Sequence, residues 1–152
     1  MKAFFICLFL IGCGSPLLQP GDYNLTGEIT ESDWGATGDE IDGVWEVTED
    51  DGKYTAKFDW ADWKLKGKEH GQTIVLDHHQ DFDDISESCD DYNHINVIVT
   101  PNEEGNQFDA IWFSELHMCS INPCGMVPPG TPGCEPIEAS ITETINIHGK
   151  KK

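Results

Sequence analysis

The chain has 152 residues and a formal net charge of −19, with 28 acidic side chains, nine lysines and no arginine. Nucleic-acid recognition by phosphate neutralisation needs a basic face, and the one run of positive charge is Lys150-Lys151-Lys152. The length suits one domain with a modest core, and the acidic surface favours solubility and attraction of cations.

The chain opens with Lys2 and an apolar run, Ala3 to Ile11, of nine residues, against the ~18 needed to span a bilayer as a helix. A charged start, a short apolar core and then small residues form the layout of an export signal. Leu10-Ile11-Gly12-Cys13 resembles the lipobox of bacterial lipoproteins. The resemblance implies cleavage before Cys13, a diacylglycerol on its sulfur, acylation (typically palmitate) of the new amino terminus and a place in the cell envelope. Gly14 in place of Asp after the cysteine implies the outer membrane. Two or three acyl chains anchor stably where one is marginal. On this reading residues 1–12 are a signal peptide, 13–21 a lipidated cysteine and tether, 22–149 the folded domain and 150–152 a basic tail. Loss of Lys2 takes the charge of the mature chain to −20.

From Asp22 the pattern has period two, which predicts strands. Tyr23, Leu25 and Ile29 mark the first, followed by a polar loop over 32–42. GVWEVTE (43–49) is the second, and Asp50-Asp51-Gly52 a hairpin turn. Residues 53–60 alternate cleanly, with Tyr54, Ala56, Phe58 and Trp60 inward. Trp63, Leu65 and Gly67 lie on a short strand, 68–71 is a turn and 73–77 a strand. Residues 77–91 read as a solvated acidic loop. The segment 94–100 is a strand, 101–106 a turn, and 107–117 a strand apolar on both faces, expected to be covered on both. A Pro- and Gly-rich loop leads to a last strand over 136–148, with Ile137, Ala139, Ile141, Ile145 and Ile147 in phase. The sum is an all-β, single antiparallel domain of about eight strands, an up-and-down barrel or a flattened half-barrel or sandwich. Gly43-Val44-Trp45 is similar to the Gly-x-Trp of lipocalins, except that theirs lies on the first strand and this one on the second.

Cys89, Cys119, Cys124 and Cys134 remain once Cys7 is removed and Cys13 lipidated. In an oxidising compartment four thiols read as two disulfides, each contributing roughly 2–4 kcal/mol. A regular hairpin about 101–106 pairs residues whose numbers sum to about 207. That favours Cys89–Cys119 with Cys124–Cys134, closely followed by Cys119–Cys134 with Cys89–Cys124.

No nucleophile elbow, zinc-protease motif or phosphate loop is present, and a non-enzyme is expected. Two candidate sites stand out. The first is a barrel mouth lined by Trp60, Trp63 and Trp112 that receives a small apolar or sugar ligand. Glu143, in phase with Ile141 and Ile145, points inward unless a β-bulge near 142–144 turns it out. The second is a divalent-cation site from His78, His79, Asp81 and Asp83, with His78 and His79 on opposite faces for as long as the strand continues. The expected function is a lipid-anchored, non-enzymatic envelope protein that binds a small ligand or an envelope partner. The alternative is a metal-binding or metal-dependent envelope protein using the histidine pair.

Overall fold

A computed structural model of the chain describes residues 15–59, 61–82, 91–119 and 138–152. Its strands are β1 (Gly21–Ser32), β2 (Glu40–Asp50), β3 (Lys53–Phe58), β4 (Lys64–His70), β5 (Thr73–Asp81), β6 (Tyr92–Pro101), β7 (Gln107–Cys119) and β8 (Glu138–Lys151). Each pairs antiparallel with the next, and β8 closes on β1. The protein is an eight-stranded, up-and-down closed barrel. β1 is hydrogen-bonded on both sides, to β2 and β8. The Gly43-Val44-Trp45 sequence therefore does lie on the second strand of the barrel.

The alternation read from the sequence sets the inside. Trp45 and Val47, Tyr54, Ala56 and Phe58, Val97 and Val99, and Ile145 and Ile147 are buried, each separated from the next on its strand by an outward residue. A column of aromatic rings fills one half of the barrel. Tyr23 meets Phe108 at 5.4 Å, Phe108 stacks on Trp45 at 5.3 Å, and Trp45 meets Phe58 edge-on at 5.2 Å. The ring of Phe108 lies over Gly149, its partner on β8, where a Cβ would sit 2.2 Å from two ring carbons.

Turn chemistry fixes the hairpins. Asp51 and Gly52 both have positive φ (51° and 73°), as a two-residue hairpin requires, and the Glu49 carboxylate accepts the Gly52 N–H at 2.7 Å. Between β6 and β7 the Asn102 side-chain oxygen accepts the N–H groups of Asn106 and Gln107, both at 3.1 Å. Pro101 was expected in that turn but is the last residue of β6, a strand end where proline is tolerated. The hairpin is consequently centred one residue later than expected. Pro101 pairs with Phe108, so partner numbers sum to 209 and the register that set Cys89 against Met118 or Cys119 shifts by two. Cys119 ends β7, whereas Cys13, Cys89, Cys124 and Cys134 lie outside the described residues.

Three further expectations change. Residues 17–20, read as part of a tether, dock on the barrel end. Leu18 is 2 % exposed, the Gln19 N–H donates to Gly105 O at 2.9 Å, and the Tyr23 hydroxyl lies 2.7 Å from Gln19 O and 2.8 Å from Gly105 O. The acidic loop starts later, because β5 continues through His78 and His79 to Asp81, paired with the start of β6. The outer face of β7 is uncovered among the described residues, with Ile111 53 % and Phe113 40 % exposed.

Candidate functional site

The half of the barrel away from Leu18 is not filled. A half-enclosed cavity of about 480 Å³ lies there, walled by Leu25 and Ile29 of β1, Phe58 of β3, Ile95 of β6, Trp112 of β7 and Ile145 of β8. That volume is within the range of small-molecule sites. Its polar lining comes from Asn93, Ser114, Glu143 and, at the edge, Asp42.

Register places the polar groups. Ile95 pairs with Ser114, Ser114 with Glu143, and Glu143 with Ser32 of β1, so these side chains form one inward layer across four adjacent strands. Glu143 is half-buried and accepts the Ser32 hydroxyl at 3.2 Å; that hydroxyl oxygen in turn accepts the Trp34 N–H at 3.2 Å. The bulge that decides its direction exists, but on the other strand. β1 carries the extra residue between Ile29 and Glu31, and β8 keeps its alternation, leaving Glu143 in phase with Ile145 and Ile147. The Thr30 hydroxyl donates to Thr144 O at 3.2 Å and fastens the bulge to β8.

The rim beside this layer is tied by Asp33, in the β1–β2 connection. Its carboxylate accepts both the backbone N–H and the hydroxyl of Thr142 at 2.8 Å. Those two bonds hold the Asp33 carboxyl below its ordinary range.

The tryptophans divide. Trp112 lines the cavity and meets Phe58 edge-on at 5.3 Å. Trp63 does not line it. It stands behind, 6.1 Å from Trp112 and 5.8 Å from Phe58, and stacks on His78 at 4.8 Å. Trp60 lies outside the described residues. Phe58, Asn93 and Ser114 were not singled out as site residues. Ser114 is in phase with Trp112 two residues earlier, which was the available signal.

The expected cation site does not assemble among the described residues. His78 and His79 are on opposite faces because β5 runs past both. Among the described residues, His78 Nε2 is buried in the wall without a hydrogen-bond partner. His79 faces out and meets Asp81 at 2.8 Å, while His94 on β6 meets Asp77 at 2.6 Å. Asp83 lies outside the described residues, and no group of three or more candidate ligands converges among those described. Ser114 faces the cavity, whereas Glu115 meets the Tyr92 hydroxyl and His117 meets Ser140 at 3.0 Å on the outer face.

No family model, curated protein or solved structure matches this chain.

Proposed function

We propose that this chain is a lipid-anchored, non-enzymatic ligand-binding barrel of the cell envelope, exported from the cytoplasm and held, by the sorting resemblance at Gly14, at the outer membrane. The observation that carries the binding role is the cavity of about 480 Å³, apolar in its walls and polar in one layer near the rim. A barrel built only as a coat or spacer has no use for that void, since filling it with larger side chains would add stability. The anchor rests on the Leu10-Ile11-Gly12-Cys13 sequence and the apolar run before it. The split of His78 from His79, on opposite faces of β5, weighs against the histidine pair as joint ligands of one cation.

Two measurements test the reading. A neutral apolar fluorophore, N-phenyl-1-naphthylamine, should brighten on the native protein, and Ser114→Phe, which fills the cavity from β7, should abolish the signal without unfolding the barrel. Absence of any signal with the native protein would remove the binding role. Separately, the intact mass of material recovered with membranes should start at Cys13 and include acyl groups. A soluble, unacylated product would remove the anchor and leave the barrel's binding role untouched.

A further inference from the structure

We infer that the ligand of this cup is a small amphiphilic amine, its apolar body against Phe58, Ile95 and Trp112 and its ammonium group at Glu143. The inference rests on the binding role proposed above and adds the charge of the ligand.

The charged lining of the cavity is wholly anionic. Among the described residues Glu143 is the charged side chain of the inward layer; Asp42, also against the cavity, is exposed and out of phase with the inward Trp45 and Val47, no lysine lines the space, and the chain has no arginine. The lysines of β3 and β4 sit on the outer wall, with Lys53 opposite Lys68 and Lys57 opposite Lys64. His78, the histidine of the inward layer, is turned against Trp63 and is not part of the lining.

Glu143 therefore reaches into a largely apolar space where, among the described residues, its hydrogen-bond partner is the neutral Ser32 hydroxyl at 3.2 Å. A carboxylate drawn out of bulk water is best compensated by a positive partner or several donors. An ammonium group supplies three donors and the opposite charge, and Ser114, the residue paired with Glu143 on β7, lies beside it with a further acceptor. A carboxylate ligand would meet like charge at the rim and a chain of charge −19 around it. A neutral alcohol fits the walls but gains only an uncharged hydrogen bond at Glu143.

The test compares three probes of equal length, octylamine, octan-1-ol and octanoate, titrated calorimetrically into the full chain. The amine is expected to bind about tenfold or more tighter than the alcohol, the advantage of a charge-assisted hydrogen bond over a neutral one, and octanoate weakest of the three. Glu143→Gln should bring the amine-to-alcohol ratio below about threefold. Glu46→Gln, which removes the same charge from the outer wall of β2, should leave the ratio as it was. Should Glu143→Gln fail to melt cooperatively, Glu143→Asp, shorter by one methylene, should give an intermediate ratio. A ratio near one in the native protein, a ratio that survives loss of the Glu143 carboxylate, or preferential binding of octanoate would each overturn the amine assignment while leaving the cup intact. Binding of none of the three would overturn both.

Discussion

Gly149→Ala sets two physical effects of opposite sign against each other. Gly149 is absent from the positive-φ positions, so alanine fits its backbone. Chain entropy alone would then make the change stabilising by about 0.4–1 kcal/mol. Packing says otherwise. The new methyl would stand 2.2 Å from Cε1 and Cζ of Phe108 and 2.8 Å from Cδ1, where carbon atoms in contact settle at roughly 3.5–4.0 Å. Phe108 is 2 % exposed and wedged between Tyr23 and Trp45, so its ring cannot retreat without disturbing the aromatic column. Overpacking of this kind costs about 1–3 kcal/mol and should outweigh the entropy gain. The expected outcome is a Tm lower by roughly 3–10 °C, read by circular dichroism. In a Phe108→Leu background the same change should become neutral or stabilising, a coupling of about 1 kcal/mol or more. A native-background variant as stable as the parent, or an equal penalty in both backgrounds, would refute the argument that Phe108 requires a glycine opposite it.

Neighbouring residues on β7 should behave oppositely: Trp112→Ala is expected to cost about 3–5 kcal/mol in denaturant unfolding, whereas Phe113→Ser, on the exposed outer face, should stay within about 0.5 kcal/mol. Burial pushes the hydroxyl pKa of Tyr23 up to about 12; burial, then the hydrogen bond to Glu69, does the same for Tyr54; Tyr92 is raised too, by burial and by Glu115. The unfolded chain ionises its tyrosines near 10 and the native one later, so the stability these groups contribute is complete below pH 10 and drains away as pH rises toward 12. Tyrosinate absorbance in the native protein should lag the unfolded control, and coincident curves would contradict the burial of Tyr23 and Tyr54. Lys57 and Lys64 face one another across β3 and β4; Lys64→Glu should stabilise by roughly 0.2–1 kcal/mol at low salt, and an unchanged melting curve would mean the two ammonium groups already avoid each other.

What the sequence disclosed depended on whether a residue's environment leaves a periodic mark. The inward set from Tyr23 to Ile147 was legible because alternation along a strand is a direct image of inside and outside. The Asp51-Gly52 turn was legible because few residues accept positive φ. Glu143 could be placed inward by phase, yet whether a bulge would rotate it out could not be read, because the extra residue sits in β1 at Thr30 and counting along β8 does not register it. The continuation of β5 to Asp81 was hidden for a related reason. Near the rim its inward positions no longer need to be apolar, so His78-His79-Gln80-Asp81 reads as loop although each pairs with β6. Leu18 left no mark either, since a plug is set by where the chain docks and not by any repeat.

The two poles of the barrel carry different work, and connectivity explains why. In a closed meander alternate connections fall at opposite ends. One pole takes the start of β1, the end of β8 and the hairpins after β2, β4 and β6, two of them only two residues long, and Leu18 seals it. The other is where β1, β3, β5 and β7 end, with Cys119 as the last residue of β7. The cavity and Glu143 lie toward this second pole. A ligand entering there need not open the end that Leu18 closes, so Ser114→Phe should block ligand entry without loosening the packing of Leu18 against the barrel.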